Sequence, residues 1–164
     1  MLSATWFDTK FTNLIASTPN FRSVENIQRA RTRGAEVSAQ FSLPAADVRT
    51  SYTYLEAENS TAGARLLRRP RHQLSADVWH AFGRGFSTGA GAVFVAQRED
   101  VDARTFRRVD GEDYAVARVY AAWQATPRLA LKARIENALN ERYEEVNGYP
   151  ALGRAIFAGV EWTF

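Results

Sequence analysis

The stretch Ile135–Phe164, IENALNERYEEVNGYPALGRAIFAGVEWTF, decides the fold that we predict for this chain. Apolar residues occupy every second position of its final part: Ile156, Ala158, Val160, Trp162 and Phe164. The positions between them form the other face: Phe157, Gly159, Glu161 and Thr163. A period of two predicts a β-strand, because successive side chains of a strand point to opposite sides. Chain ends of soluble domains are usually frayed and polar, so we expect this strand, which closes on an aromatic residue, to belong to a sheet.

Seven further segments either alternate in the same way or are rich in β-branched and aromatic residues, and we predict each as a strand. They are residues 2–16, 32–43, 48–54, 72–82, 86–97, 114–125 and 129–136. With the closing strand they predict an all-β chain of about eight strands. We expect tight turns at Pro44–Asp47, Gly83–Gly85 and Thr126–Arg128, where proline or glycine favours a change of chain direction.

The lengths of the connections predict how these strands are arranged. Long polar connections of roughly 13 to 15 residues alternate with turns of three or four residues. An antiparallel up-and-down meander with this alternation is typical of outer-membrane barrels, which have short periplasmic turns and longer extracellular loops. We therefore predict part of a transmembrane β-barrel with a periplasmic C-terminus. Aromatic residues near the short turns fit an interfacial girdle: Phe41, Phe82, Phe86, Trp123, Trp162 and Phe164.

Alternation alone does not say whether the apolar face points inward or outward. A soluble β-sandwich or a lipocalin-like barrel also alternates, because one face of any antiparallel sheet is apolar. Charged residues recur in mid-strand, and both a solvated face and a wet barrel lumen accept them: Arg49, Asp77, Arg118, Lys132, Arg134, Glu136 and Glu161. The alternating loop lengths favour the membrane barrel over the soluble sheet.

The composition restricts the classes of protein further. The chain has 164 residues, a formal net charge of +3 that is spread along its length, and no cysteine. A spread charge is not the clustered basic face of a nucleic-acid-binding protein, and a chain without cysteine has neither disulfides nor thiolate metal sites. No run of 18 apolar residues is present, so spanning has to rest on strands. Because the N-terminal segment MLSATWFDTKF lacks the features of a signal peptide, we expect a front segment beyond this sequence.

A motif precedes the closing strand, and it resembles the C-terminal end of the TonB-dependent outer-membrane receptors. The matching residues are Asn137, Leu139, Tyr143, Tyr149, Pro150, Gly153 and Arg154. Within that family the pattern is closest in appearance to the cobalamin receptors. Ala138 and Asn140 depart from the phenylalanine or leucine and the aspartate that the family usually has at these positions.

The resemblance implies a fold and a function. Family members are 22-stranded barrels around an N-terminal plug that TonB engages, so residues 1–164 would be a C-terminal segment of about eight strands. The intact receptor would import a scarce ligand, a corrinoid or a ferric chelate, with outer-membrane lipid, lipopolysaccharide and the barrel assembly machinery as partners. Terminal residues of such barrels act in membrane insertion, and Val160, Trp162 and Phe164 hold the corresponding positions here. No cofactor, metal or catalytic residue is implied.

Two alternatives stay open. Unpaired backbone groups are costly in lipid, so eight strands either have neighbours elsewhere or close on themselves as a small structural or adhesin-like barrel. An outer-membrane hydrolase is the third hypothesis. Its best catalytic set, Ser75, Asp77 and His80, is poor because Ser75 and His80 point to opposite faces of one predicted strand. His72 shows no metalloprotease spacing with His80.

Three other patterns have weaker functional interpretations. The acidic residues Glu99, Asp100, Asp102, Asp110, Glu112 and Asp113 have no calcium-loop spacing and lie among arginines, which favours a self-compensating loop. Gly89 and Gly91 lie inside a strand, so they indicate a bend or a close backbone approach and not a phosphate-binding loop. The basic segment Leu67–Arg71 is either a contact for lipopolysaccharide phosphates or a rim of solvated arginines.

Overall fold

The computed structural model describes residues 1–18, 22–44 and 46–164, without the side chains of residues 16, 27 and 28. The described residues form thirteen β-strands and no helix. The strands are β1 (Leu2–Ser17), β2 (Val24–Leu43), β3 (Ala46–Asn59), β4 (Ala64–Arg65), β5 (His72–Gly83), β6 (Phe86–Ala96), β7 (Arg98–Val101), β8 (Arg108–Gly111), β9 (Tyr114–Thr126), β10 (Leu129–Glu136), β11 (Glu144–Val146), β12 (Tyr149–Pro150) and β13 (Ala155–Trp162). The described part of the chain therefore contains no helix that would cross a membrane.

Eight long strands form one antiparallel sheet in the order β1-β2-β3-β5-β6-β9-β10-β13. Each long strand pairs with the next long strand along the chain, which confirms the predicted meander. β4 is a two-residue strand that pairs antiparallel with the last two residues of β3. The pairs β7–β8 and β11–β12 are small hairpins outside the main sheet. Within the described ranges β1 and β13 each pair on one side only, so the sheet is open and does not close on itself.

The predicted start of the second strand was wrong. β2 begins at Val24 and not at residue 32, and Ser17 already pairs with Val24. The polar residues of this segment suit a strand whose end projects into water, so a low apolar content did not indicate a loop. The predicted loop residues Pro19 and Asn20, like Ala45 of the predicted Pro44–Asp47 turn, lie outside the described residues.

The end of the last strand also differs from the prediction. β13 ends at Trp162 and not at Phe164. The backbone N–H of Thr163 still donates a hydrogen bond to the carbonyl of Arg128, 2.9 Å away. Phe164 itself is fully exposed, because β10, the only described neighbour of β13, begins at Leu129 opposite Trp162 and offers no pairing residue beyond it.

The pairing register separates the side chains into an apolar face and a polar face. Residues opposite one another in neighbouring strands lie on the same face, and one row across the middle of the sheet consists of Val37, Tyr52, Leu74, Phe94, Ala115. A second row, nearer the short turns, consists of Phe41, Val48, Val78, Ala90, Val119, Ile135 and Ile156. A third row, beside the short turns, consists of Phe86, Trp123, Leu131 and Val160. Four of the predicted girdle aromatics, Phe41, Phe86, Trp123 and Trp162, thus lie at the short-turn end of the apolar face.

The apolar face ends abruptly toward the long connections. On β2 it runs from Leu43 to Ala35, about 26 Å along the strand at ~3.3 Å per residue, which is comparable to the ~25 Å apolar band of outer-membrane barrels. The next residues on this face are charged and paired, Arg31 with Asp8 and Arg33 with Glu56. An apolar band with a charged margin is expected where a strand leaves lipid.

No second layer covers this apolar face in the described structure. Large apolar side chains on it are solvent-accessible along the whole sheet, among them Trp6, Phe41, Phe94, Trp123, Ile156 and Val160. A soluble sandwich would bury such a face against another sheet, and a monomeric soluble protein rarely exposes so large an apolar surface. The arrangement fits a barrel wall and not the soluble alternative.

Candidate functional site

Three connections at one end of the sheet pack together, and we call residues 60–71, 97–113 and 137–154 the loop cluster. The middle connection carries the β7–β8 hairpin and lies between the other two. It contacts the first through backbone bonds from Arg68 N to the carbonyl of Glu99 (2.8 Å) and from Arg71 N to that of Gln97 (3.3 Å). It contacts the third through Arg98, which donates from Nη2 to the carbonyl of Glu144 at 2.6 Å.

Asp100 joins all three connections. Its side chain has no exposed surface, and it accepts hydrogen bonds from Arg68 Nε (2.9 Å), from its neighbour Val101 N (2.8 Å) and from Asn147 N (2.8 Å). Burial by itself raises the pKa of the Asp100 carboxyl, but the bonds from Asn147, Arg68 and Val101 outweigh it and hold that pKa below its usual range. Asp100 is therefore an ionised, buried junction.

Arginines also neutralise Glu99, the residue before Asp100 in the loop cluster. Glu99 pairs with Arg108 at 2.7 Å and with Arg65 at 3.6 Å. Arg98, only 6% exposed, lies 5.6 Å from the centre of the Tyr114 ring, and its Nε has no hydrogen-bond partner in the described structure. Gly111 leaves room for this side chain, because a Cβ there would lie 2.9 Å from Arg98 Nε. These contacts make the cluster a compact unit.

A groove of about 640 Å³ lies within the loop cluster. Its lining comes from all three connections: Arg68, Val101, Ala103, Phe106, Val146, Asn147 and Tyr149. Phe106 is 41% exposed and Tyr149 is 68% exposed, so both rings are accessible to a bound molecule. Arg68 and Asn147 also bond to Asp100, which makes the shape of the groove depend on that carboxylate.

The residues of the C-terminal motif hold the third connection in place. Asn137 is 3% exposed with a φ of 48°. Its side chain donates to the carbonyls of Glu141 (2.8 Å) and Leu152 (3.2 Å) and accepts from the N–H of Glu141 (2.8 Å). Asn140 Oδ1 accepts from the N–H of Arg154 at 3.0 Å. The motif thus ties the start of the connection to its end.

The remaining motif residues divide into packed and exposed ones. The ring of Tyr143 lies 4.5 Å from that of Tyr114, and burial, followed by the charges of Glu145 and Glu136, raises the pKa of Tyr143. A Cβ on Gly153 would lie 3.1 Å from Asn140 Oδ1, so the small residue gives room for that bond. Leu139 and Tyr149 are exposed, and Pro150 pairs with Glu144 in the β11–β12 hairpin.

The predicted mid-strand charges all lie on the polar face of the sheet. Asp77 is their centre, accepting from Arg118 Nη2 (2.9 Å) and from the hydroxyl of Tyr120 (2.6 Å). Lys132 pairs with Glu161, and Arg134 lies 4.6 Å from the centre of the Phe157 ring. Side chains on this polar face form the water-accessible surface that a barrel lumen requires.

Gly89 and Gly91 serve these side chains, which corrects their interpretation as a bend or a backbone approach. A Cβ on Gly89 would lie 2.5 Å from the Tyr120 ring. A Cβ on Gly91 would lie 2.6 Å from Asp77 Oδ2 and 3.0 Å from Arg118 Nε. The two glycines therefore leave space for the side chains of neighbouring strands.

The structure also locates the weaker candidates. Ser75 contacts Ser51 at 2.7 Å on the polar face, whereas His80 lies on the apolar face opposite Thr88 and packs against Phe82. His72 Nδ1 lies 2.7 Å from the Tyr52 hydroxyl. Ser75, Asp77 and His80 are therefore not brought together as a catalytic set.

Four acidic residues of the middle connection accept hydrogen bonds from arginines, backbone groups or a threonine hydroxyl instead of forming a common site: Glu99, Asp100, Asp102 and Asp113. Asp102 accepts from Arg104 N, Thr105 N and Thr105 Oγ1, which lowers its pKa, with Thr105 contributing most. Asp113 accepts from Gln97 N at 2.8 Å. Across residues 1–18, 22–44 and 46–164 no group of three or more potential metal-binding side chains was found.

Sequence reasoning missed the junction at Asp100. By sequence Asp100 belongs to an acidic group and Arg68 to a basic segment, although the two form one ion pair across 32 positions of sequence. Asn147 was not singled out at all. The only sequence signal was the opposite charge of two long connections, which does not specify a pair.

Comparisons with known proteins agree with this architecture. A family model described as TonB dependent receptor-like, beta-barrel, matches residues 1–138. The chain is 29% identical over 167 aligned residues to the vitamin B12 transporter BtuB of Vibrio cholerae serotype O1, covering 99% of this chain and 27% of that protein.

Solved structures show the same fold at lower sequence identity. FpvA of Pseudomonas aeruginosa, in a complex with a heterologous pyoverdine and iron, superposes with a TM-score of 0.78 at 19% identity, over 98% of this chain and 24% of that one. The ferric-catecholate import receptor Fiu of Escherichia coli K12 does so with a TM-score of 0.77 at 21% identity, over 99% and 25%. The chain thus spans about a quarter of these relatives. It belongs to the TonB-dependent receptor family of the bacterial outer membrane and is part of a receptor β-barrel.

Proposed function

We propose that the chain is part of an outer-membrane receptor that imports a scarce ligand, a corrinoid or a ferric chelate, into the periplasm. The observation that carries the proposal is the similarity to a vitamin B12 transporter along 99% of the chain. The structural similarity to receptors for iron chelates supports a ligand of the same general class.

Within that receptor, residues 1–164 are a C-terminal barrel segment of about eight strands, and the plug and the other strands lie outside this sequence. Two observations support this assignment. The sheet has free edges at β1 and β13 in the described ranges, and each unpaired backbone group in lipid costs several kcal/mol, roughly. In addition, the chain covers 27% of the vitamin B12 transporter. No observation favours the self-closed small barrel.

The segment contributes a wall and part of a ligand-capturing surface. The apolar band faces outer-membrane lipid, and its charged margin, with Arg31 and Arg33, faces the headgroups of lipopolysaccharide. The polar face lines the lumen around Asp77, and the loop cluster lies on the extracellular side. TonB acts on the receptor only through the plug, which lies outside residues 1–164. In this proposal the protein is not an enzyme, and it needs no resident cofactor.

The barrel assembly machinery is the remaining proposed partner. Val160 and Trp162 lie on the apolar face of the last strand, and Phe164 follows them with its side chain fully exposed. An accessible aromatic end is what a machinery that receives the last strand would contact. In the basic segment Leu67–Arg71, Arg68 bonds to Asp100 and Arg71 to Gln97, and contact of the segment with lipopolysaccharide phosphates stays a prediction.

Uptake by a deletion strain tests the proposal. Cells that lack the intact receptor should lose accumulation of radiolabelled cyanocobalamin or of a ferric tricatecholate, and the intact gene should restore it only when TonB is present. A strain that accumulates both compounds as fast as its parent would contradict the import function. Membrane fractions should contain the chain within a species several times larger than 18.4 kDa that changes mobility on heating; a heat-modifiable species of 18.4 kDa would instead identify a small closed barrel.

A further inference from the structure

We infer that Asp100 is a positioning residue for ligand capture: it holds the three connections of the loop cluster as one unit and so keeps the groove between them in its binding shape. The inference rests on the proposed import function and adds to it the residue that organises the extracellular surface. Asp100 is not a ligand contact in this scheme, since its side chain has no exposed surface.

The first step of the argument is the completeness of the junction. One carboxylate oxygen accepts from Arg68 and from Val101, and the other accepts from Asn147. These donors come from the β3–β5, β6–β9 and β10–β13 connections. Because a buried carboxylate is tolerated only when its oxygens are satisfied, all three connections have to be in place together for Asp100 to remain ionised there.

The second step is that the same donors form the wall of the groove. Arg68, Val101 and Asn147 line it, together with the accessible rings of Phe106 and Tyr149. The tip of the third connection also approaches the middle one closely, since a Cβ on Gly148 would lie 3.6 Å from that of Ala103. Release of Asn147 from Asp100 would therefore change the groove itself and not a remote surface.

The third step concerns energy. A receptor binds its ligand more tightly when the loops that carry the binding residues are ordered beforehand, because binding then does not have to include the entropy cost of ordering them. The apparent dissociation constant rises in proportion as the binding-competent fraction falls. Loss of the Asp100 junction should thus weaken binding without altering translocation, which occurs after capture.

The test uses the intact receptor with Asp100→Asn, which preserves size but removes the charge. Asp110→Asn, an exposed carboxylate on β8 of the same connection, is the matched control. Equal heat-modifiable mobility of parent and variants establishes that the barrel is folded. Because this segment has no cysteine, Arg104→Cys with Tyr149→Cys places one spin label on each of the two connections, and pulsed electron resonance measures the distance between them.

We expect one narrow distance distribution in the parent and in Asp110→Asn, and a broadened one in Asp100→Asn. Without labels, Asp100→Asn should weaken binding of cyanocobalamin or of the ferric tricatecholate about tenfold, with the maximal uptake rate changed by less than about twofold. An unchanged distribution in Asp100→Asn would overturn the inference, as would a broadened one with unchanged affinity.

The label experiment separates this inference from the proposed function. If the parent binds neither probe, the choice of ligand class is wrong, whereas a broadened distribution still establishes that Asp100 orders the loop cluster.

Arg68→Gln provides a second variant, with labels at Ala62 and Arg104 to report on the first connection. It should broaden that distribution and the Arg104–Tyr149 distribution as well, because Asp100 then loses the cation that keeps it ionised beside Asn147.

Discussion

Asn137 and Leu139 belong to the same motif, yet their environments differ completely. Asn137 is 3% exposed and makes three side-chain hydrogen bonds within its own connection, whereas Leu139 is 72% exposed. Asparagine also tolerates the positive φ of 48° at this position better than residues with longer or branched side chains. The resemblance to the family motif does not distinguish the two residues. In the structure only Asn137 makes side-chain hydrogen bonds that hold the third connection, whereas Leu139 is exposed.

We expect Asn137→Ala to destabilise the third connection by about 2–4 kcal/mol, because it removes three bonds and leaves a less suitable residue at positive φ. Leu139→Ala is the control and should change stability by less than about 0.5 kcal/mol. Hydrogen exchange of residues 138–154 measures the effect. Equal protection of these amides in both variants would show that Asn137 has no such role.

Gly89 provides a second comparison of single positions. Gly89→Ala should lower stability by about 1–3 kcal/mol, because the new methyl group would displace the Tyr120 ring from its bond to Asp77. Gly159→Ala, on the same face but with no atom within 4 Å of its Cβ, should be neutral or slightly stabilising. The temperature at which the barrel loses its folded gel mobility distinguishes the two, and a Gly89→Ala barrel as stable as the parent would contradict the packing argument.

The connections between strands form structure of their own. β7 with β8 and β11 with β12 make short hairpins, and their contacts with each other run through Asp100 and Arg98. A hairpin this short is marginal alone, so the loop cluster depends on contacts between connections that are distant in sequence.

The loop cluster should loosen in acid. The pKa of Asp100 is lower in the folded protein than in the unfolded chain, so its contribution to stability is complete above the unfolded value, about 3.9, and is lost as pH falls through the lower folded value. We expect the Arg104–Tyr149 label distribution to be narrow at pH 7 and to broaden as the pH falls through the lowered folded-state pKa of Asp100, where that carboxylate no longer carries the charge that pairs with Arg68. In Asp100→Asn the distribution should be broad at pH 7 and in acid alike; a parent distribution unchanged down to pH 2 would contradict this assignment.

The sheet as a whole is a single layer whose two faces meet different solvents. Ala92 and Val93 are neighbours in mid-strand on β6, but Ala92 lies on the apolar face opposite Ala76 and Ala117, and Val93 lies on the polar face opposite Ser75 and Val116. One substitution placed at each position therefore tests which face contacts lipid.

Ala92→Arg should destabilise the intact barrel by about 2–4 kcal/mol, the cost of arginine near the bilayer midplane, whereas Val93→Arg should cost markedly less because its charge lies in the wet lumen. Unfolding in urea from lipid vesicles gives both values. If Val93→Arg proved the more damaging of the two, the assignment of the faces would have to be reversed.

We propose that assembly of the barrel depends on the C-terminal residue, Phe164. Phe164→Ala should reduce the amount of receptor in the outer membrane several-fold, because the exposed terminal aromatic side chain is the contact offered to the assembly machinery. Tyr149→Ala, which removes a comparably exposed aromatic ring from the loop cluster, should leave that amount unchanged. Quantitative immunoblots of membrane fractions decide the matter, and equal levels of parent and Phe164→Ala would refute the role.

The period of two, the content of β-branched and aromatic residues and the lengths of the connections together predicted the eight strands, their order and the composition of each face. They were sufficient because pairing joins neighbours along the chain and alternation follows from strand geometry alone. Boundaries failed where that signal is weak: at the polar start of β2, at the polar end of β3, which runs to Asn59 and not to residue 54, and beyond Trp162. The loop cluster was beyond reach for a different reason. Its bonds join residues 32 and 47 positions apart, from Arg68 to Asp100 and from Asp100 to Asn147, and no periodicity relates such residues. Only the folded sheet, by bringing the ends of its strands together, determines which charges in its loops become partners.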